Sequence, residues 1–552
     1  MTAGPVPVSG GTVIPASPSS SDFPIDWPNP ADERLSWELD DMHMPFPLAP
    51  LARDYVEILA SGFNPVYVEW GLNLRIYARI FHGYCYFTLD AGVPEADEDA
   101  EMARRTEACR AFAPVNVAYW TDEALPRLEA IERQMREIDV DGLPGPDLAV
   151  AWDAAWATGA EAWAIHFKAI RGAYQSTEDL ADLYDKAVEG APAGEALELI
   201  QGRNTTLHAV EAGVETLTDL LADLPAVRAR VAASPAPSLE ELEALPRGEV
   251  FAREMRRFLD EHGHLGQPFD DLGLPSWAEE PSILLAEIGQ RLAHPPERSA
   301  HRVTRLQRHG DALADRVRER LAADAAGLAR FEDQLALARS VGPLTEIHNY
   351  WIDRLIQARL RALSFRVGRR LVRDGAVDSD EDVLYLHRDE IAATLREPAD
   401  RRSLVAERRA EHTRQGTLTP PRIIGAPLRL GESIGRFDSP AKEHESSDEL
   451  HGVGASAGMA RGPARVALGP EDFGRIQPGD VIVCPSSNPS WVPVFAIAGG
   501  LVTNTGGVLA HAAVVAREFG LPAVVGVTGA TTLIADGRTV EIDGTAGIVR
   551  LL

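Results

Sequence analysis

From about residue 48 to residue 396 the chain is rich in Ala, Leu, Arg and Glu, and its apolar residues recur at heptad-like spacing with few strand-like alternations. That period gathers apolar side chains on one face of each successive helix, so it predicts a large, mostly α-helical region. The pattern then stops. Residues 416–450, "GTLTPPRIIGAPLRLGESIGRFDSPAKEHESSDEL", mix Pro, Gly, Ser and charges without a sustained period, as a connector does. Beyond it come short β-type runs, "ARVAL" (464–468), "DVIVC" (480–484), "AVVGV" (523–527) and "TVEID" (539–543), punctuated by Gly and Pro. Helical stretches at 492–498 and roughly 509–519 interrupt them. The fold class expected is therefore multidomain: a flexible tail over 1–20, a large helical domain over 21–410, a linker over 411–450, and a small α/β domain over 451–552.

A chain of 552 residues is too long for one ordinary core. With 45% hydrophobic and 25% charged residues it has the composition of a soluble globular protein. The formal charge of −29 argues against a nucleic-acid partner, which needs a clustered basic surface to displace counterions. Cys85, Cys109 and Cys484 lie far apart without CxxC spacing, which suggests neither a disulfide framework nor a zinc site, and no other spacing assigns a metal. The apolar stretch at 491–502 is broken by Pro493 and Gly499-Gly500 and is too short to span a bilayer. The N-terminal "MTAGPVPVSGGTVIPASPSSS" lacks a basic start followed by an apolar run and reads as a tail, not a signal peptide. A cytoplasmic protein is expected, with no membrane partner.

The stretch "TNTGGVLAHAAVVAREFGLPAVVGV" (503–527) carries the chemistry. Thr503 to Gly507 follow an expected strand and precede an expected helix, so His511 lies in the first turn of that helix. Free backbone N–H groups and the positive end of the helix dipole favour an anion there, and a glycine pair lets the backbone approach it closely. A phosphoryl group on the imidazole would be stabilised. On spacing alone, an ordinary strand–turn–helix with a surface histidine fits equally well. Glu518, seven residues on, lies near the same helix face.

The stretch also resembles the phosphohistidine-carrying mobile domain of the phosphoenolpyruvate-utilising enzymes, the family of phosphoenolpyruvate synthase, pyruvate phosphate dikinase and rifampicin phosphotransferase. Gly506-Gly507, His511, "AREFGLPAVVG" (516–526) and the later "DG…VEIDGTAGIV" carry the resemblance, with "SAGMARGPARV" (456–466) and "GDVIVCPSSNPSW" (479–491) upstream. It implies that His511 accepts and passes on phosphate, with Thr505, Gly506, Gly507 and Arg517 around the phosphoryl group. One departure is Ala510, where many relatives have a hydroxyl or thiol residue.

The helical region is similar, more diffusely, to the substrate-binding part of rifampicin phosphotransferase and phenylphosphate synthase. The carriers are "FPIDWPNPADERLSWELDDMHMPFPLAPL" (23–51), "FLDEHGHLGQPFDDLGLPSWAEEPSILL" (258–285) and "GRRLVRDGAVDSDEDVLYLHRDEI" (368–391). Where the rifampicin type often has Arg and Glu near the Gly-His pair, this chain has Leu265 and Phe269. No stretch reads as a nucleotide-binding region of strands and Gly-rich turns. The resemblance therefore implies ATP, with magnesium, bound by a separate ATP-grasp-type phosphorylating subunit and no cofactor held tightly by this chain.

A hydroxyl acceptor needs a base near its proton and a pocket that excludes water. The candidates are His43, His264, Glu346, His348 and Asp353. In "PLTEIHNYWIDRLIQARL" (343–360), at 100° per residue, His348 falls among Trp351, Ile352 and Leu355, while Glu346, Asn349 and Asp353 cluster on the opposite side. A regular helix thus keeps His348 apart from the two carboxylates, as a core histidine or a base lining an apolar pocket. His262 precedes Gly263 at an expected helix end, where capping and a left-handed glycine explain both residues. His264 lies beyond it in a loop. His43 sits beside Asp40 and Asp41, either as a tuned base or as part of a surface cluster. Trp70, Tyr84, Tyr86, Trp163 and Trp351 are core or line an aromatic pocket.

The function expected is a phosphotransferase subunit: His511 takes phosphate from the partner and the swivelling domain carries it to the hydroxyl of a small aromatic or otherwise apolar acceptor in the helical domain. Two alternatives are a lyase that phosphorylates a hydroxyl transiently to make a leaving group, and a non-catalytic phosphocarrier or binding protein.

Overall fold

The computed structural model describes residues 13–14, 16, 23–41, 43–192, 194–233, 236–266, 271–293, 295–429, 448–487, 491–507 and 510–552. A large helical part is followed by a small α/β part, in the order the spacing predicts.

The helical part is organised around one 43-residue helix, Gly145–Ala187. Its Trp152, Trp156 and Trp163 are fully buried, and helix Pro50–Glu69 packs along it. Gly62 makes that approach feasible: a Cβ there would sit 2.6 Å from the carbonyl carbon of Trp163. A second apolar cluster, with Val214, Phe251, Met255, Trp277 and Ile288, gathers the helices between residues 205 and 293.

This region is less purely helical than its period suggests. Arg75–Phe81, Tyr84–Asp90, Ser36–Leu39 and Ile423–Gly425 form, in that order, a four-stranded antiparallel sheet. Gly83, with φ +86°, turns the hairpin between the first two strands. The aromatic alternation of "RIYARIF" and "YCYFTLD" was a strand signal that the surrounding helical texture outweighed. Tyr84 and Tyr86 are buried here, their hydroxyls donating to backbone carbonyls at residues 415, 418 and 421, so they serve the core.

The expected connector is in part structured. Helix Arg402–Gln415 enters it, and Ile423 and Ile424 are buried as the sheet's fourth strand, because two apolar residues meet an open edge at Trp37. Residues 430–447 lie outside the described residues. Within the expected tail, Val13–Ile14 pairs with Leu428–Arg429; residues 1–12 lie outside the described set.

In the α/β part the eight-stranded order is Glu449–His451, Ile548–Leu551, Thr539–Asp543, Met459–Val466, Val481–Cys484, Gly500–Thr503, Ala523–Val525, Val453–Ser456. The run from Met459–Val466 through Ala523–Val525 is parallel. Its inner strands are apolar throughout because both faces are covered, by one cluster around Ile482, Trp491, Ala513 and Val515 and another around Val483, Val502 and Ile534. The expected helix at 492–498 is only Val492–Phe495, since the backbone must turn to enter the strand at Gly500. No helix among the described residues is long and apolar enough to cross a membrane.

Candidate functional site

The loop that leads to His511 leaves the carboxyl end of strand Gly500–Thr503, where open parallel sheets present ligand sites. Asn504 ties it to the neighbouring turn, donating to Thr531 Oγ1 (2.8 Å) and accepting from the Thr531 amide (2.9 Å). The Thr505 amide and hydroxyl both donate to the Pro485 carbonyl at 3.2 Å, so Thr505 fixes the loop's path. Gly506 has φ +106°, and a Cβ on it would meet that of Ala510 at 3.0 Å. The Gly507 carbonyl accepts from the Ala510 amide (3.1 Å). Val508 and Leu509 lie outside the described residues.

The nine-residue helix His511–Phe519 begins with His511 as its first residue, in the place the sequence predicts. Its N-cap Ala510 has extended backbone, ψ 152°, and offers no side-chain cap. The departure at Ala510 thus leaves the first-turn amides without the usual side-chain acceptor, which an anion can supply. Arg517 is buried in the last turn, donates to the Ala455 carbonyl (2.8 Å), and is lowered to about 10 by burial. Its contacts join helix to sheet.

This helix packs on the helical part. The Gly202 amide donates to both carboxylate oxygens of Glu518, at 3.0 and 3.2 Å. The Arg302 guanidinium lies 4.1 Å from the Phe519 ring centre, and Leu207 packs on the apolar cluster beneath the helix. His208 Nε2 is 3.9 Å from Glu518. Burial raises Glu518 to about 7 despite Arg302 and Arg517 nearby; burial, with Arg302, lowers His208 to about 4. Glu346, on the helical side, is close enough to act electrostatically on both Arg517 and Glu518. Elsewhere between the two parts a small cleft is lined by Trp277, Ile283, Phe473, Val494 and Ile497.

The acceptor candidates sort differently from the helical-wheel expectation. Leu344–His348 is α-helical, but Asn349–Arg354 is a π turn, whose extra residue rotates everything after it. Asp353 is thereby carried to the side of His348, with Oδ2 4.0 Å from Nε2. A regular 100° step would have separated them. Glu346 stays apart, hydrogen-bonded with Asn349 (3.4 Å).

The third member of this group is His166, from the long helix, which the sequence reading did not single out. Its Nε2 lies 3.6 Å from Asp353 Oδ1, and its ring centre 4.4 Å from that of His348. The three are buried at 7%, 3% and 7% exposure. His348 Nδ1 pairs with the Leu344 carbonyl (2.7 Å); a carbonyl only accepts, so Nδ1 carries the proton and Nε2 turns its lone pair toward Asp353. Burial, then His348, then Arg171 hold His166 well below the usual imidazole range.

The remaining candidates stay outside the cluster. His264 is buried against the Tyr350 ring (4.5 Å) and lowered to about 3 by burial. His262 Nδ1 pairs with the Tyr350 hydroxyl (2.8 Å), so its role exceeds capping. Gly263 closes that helix in right-handed backbone, φ −67°, not in the left-handed form expected; Gly266 supplies the positive φ, +106°. His43 pairs with Asp40 at 3.0 Å near the surface, and its charge acts on His166. Trp163 is core, stacked near Phe167 and edge-on to His166, whereas Trp70 and Trp351 are partly buried. Gln267 to Asp270 lie outside the described residues.

Comparison with known proteins completes the picture. Residues 476–547 match the mobile domain of PEP-utilising enzymes. The C-terminal part thus matches that mobile domain over most of its length. Residues 166–346 match the fourth domain of rifampicin phosphotransferase. Rifampicin phosphotransferase of a Streptomyces species is 32% identical over 317 residues, covering 57% of this chain and 36% of the relative. That of Bacillus subtilis is 28% identical over 319 residues, with the same coverage. Chondramide synthase cmdD of Chondromyces crocatus is 29% identical over 563 residues, which take in 98% of this chain and 14% of the synthase. The chain thus spans well under half the length of these relatives. The mobile-domain match takes in the Gly506-Gly507 loop and His511, and the helical match begins at His166.

Proposed function

We propose that the protein is a phosphotransferase in which His511 carries a phosphoryl group between an ATP-dependent phosphorylating partner and a hydroxyl acceptor held by the helical domain. The observation that carries this reading is the start of helix His511–Phe519: an uncapped N-terminus behind a positive-φ glycine, at the carboxyl edge of parallel strands. Helix amides and dipole stabilise phosphate there without a basic side chain. The similarity to rifampicin phosphotransferases supports a hydroxyl acceptor. Within the helical domain, His348, Asp353 and His166 form the buried polar group best placed to engage the acceptor's hydroxyl. ATP and magnesium belong to the partner in this reading.

Incubation of the protein with β-labelled ATP, with and without extract of the source cells, tests it. Acid-labile label on the chain that requires the extract and is lost in His511→Ala is the expected result. No label, with an extract that phosphorylates a known relative, would overturn the reading. A released phosphate ester of the acceptor separates transfer from the lyase alternative, which yields an elimination product and free phosphate.

A further inference from the structure

We infer that His166, His348 and Asp353 form a binding site for one divalent transition-metal cation, in the helical domain. The site is built from three separate backbone settings: the middle of helix Gly145–Ala187, the end of helix Leu344–His348, and the π turn Asn349–Arg354. One ligand atom from each lies within 4.8 Å of the other two. Ligands bonded at about 2.0–2.2 Å to one cation stand roughly 3.0–3.5 Å apart in octahedral or tetrahedral geometry. His166 Nε2 stands 3.6 Å from Asp353 Oδ1 and His348 Nε2 4.0 Å from the other carboxylate oxygen, Oδ2; with one atom of each residue within 4.8 Å of the others, shifts of about an ångström bring all three onto one ion.

Two further observations point to a ligand. His166 is more than nine-tenths buried, and neither ring nitrogen has a hydrogen-bond partner among the described residues. A buried imidazole left in that condition forgoes about 1–3 kcal/mol of pairing, which a bond to a metal would supply. His348 is already set up as a ligand. Its Nδ1–H is held by the Leu344 carbonyl, which fixes the tautomer and turns the Nε2 lone pair into the cluster, the arrangement that supporting carbonyls give metal-bound histidines.

The donor set determines the class of ion. Two imidazole nitrogens and one carboxylate oxygen suit Zn²⁺, Mn²⁺, Fe²⁺ or Co²⁺ and disfavour Mg²⁺ and Ca²⁺, which take oxygen ligands. Three protein ligands leave coordination positions open for an exogenous oxygen. If the proposed function holds, that oxygen is the acceptor's hydroxyl, whose acidity a bound cation raises; the metal site itself does not depend on that reading.

The experiment uses the full chain, freed of metal by chelator and dialysis, and requires no phosphoryl transfer. Titration with Co²⁺ is read by visible absorption, and Zn²⁺ by calorimetry and by displacement of Co²⁺. One equivalent bound with a visible d–d band, displaced by Zn²⁺ and indifferent to millimolar Mg²⁺, is the expected result. His166→Gln and Asp353→Asn, each checked for native circular dichroism, should weaken Co²⁺ binding by more than the roughly 10–100-fold that loss of a supporting residue costs. Absence of both band and heat with the wild-type chain would overturn the inference without recourse to any variant. So would one-equivalent binding that both variants leave unchanged, since the ion would then sit elsewhere. Failure of His511 labelling alongside normal Co²⁺ binding would count against the proposed function alone.

Discussion

Glu518, seven residues beyond His511 on the same helix, takes the backbone amide of Gly202 on both of its carboxylate oxygens, which makes this side chain a polar link between the α/β domain and the helical domain. The link is buried, so its protonation state and the docking of the two domains are coupled.

In the docked form Glu518 holds its proton up to about pH 7, against an ordinary value of 4.5 in water. Docking therefore binds a proton between those values, and rising pH weakens it there. His208 acts in the opposite sense: it is lowered to about 4 from 6.5, so docking sheds a proton between those values and falling pH weakens it. The two offset one another from about 4.5 to 6.5, while Arg302 and Arg517 stay charged. Protection of the Gly202 amide from hydrogen exchange, corrected for the intrinsic rate, should be flat over that span, fall above pH 6.5, and level off above 7.5. In Glu518→Gln the fall above 6.5 should vanish; a fall of unchanged size would reject the assignment.

Gly506 holds a backbone conformation, φ +106°, that a side chain tolerates poorly, and its Cβ would press on Ala510. Gly506→Ala should cost about 1–3 kcal/mol locally and lower His511 labelling about tenfold or more, with unchanged far-UV circular dichroism. Labelling at the wild-type rate would show that the loop's shape is immaterial to phosphate transfer.

Arg291 is buried between Glu211, at 2.8 and 3.1 Å, and Glu287, at 2.8 Å. Arg291→Met would strand two carboxylates in the core and should destabilise the helical domain by about 3–5 kcal/mol. Burial already raises Glu287 to about 7, so the loss should be smaller at pH 5.5, where a stranded carboxyl can protonate, than at pH 8. Urea melts at the two pH values measure both the size and its direction.

Where helix Pro50–Glu69 crosses helix Gly145–Ala187, Gly62 lies against Trp163. Gly62→Ala should cost about 1–3 kcal/mol through overpacking and lower the melting temperature, while leaving Co²⁺ stoichiometry intact if the cluster one turn along, at His166, keeps its geometry. A melting temperature equal to the wild type would mean that the helices separate there without strain.

His511 and its loop were legible because their signal is local: a strand end, a glycine pair and a helix start occupy consecutive residues, and each carries its own backbone preference. The parallel strands were legible for the same reason, as apolar runs bounded by Gly and Pro. The four-stranded sheet was not. One of its strands, Ile423–Gly425, is three residues long and pairs with a partner almost four hundred positions away, so nothing nearby in the chain marks it.

The His166–His348–Asp353 cluster shows the boundary most clearly. By itself the chain determined which residue types were available and that 343–360 would be helical, because periodicity and propensity act over a few residues. Only the tertiary structure decided that one turn would be π instead of α, which moved Asp353 from the far face to the side of His348. It also decided that the long helix would present His166 to both. A π turn closes one backbone bond less favourably than an α turn and persists where packing offsets it, so the register of that helix is set by the neighbours it meets and not by its own residues.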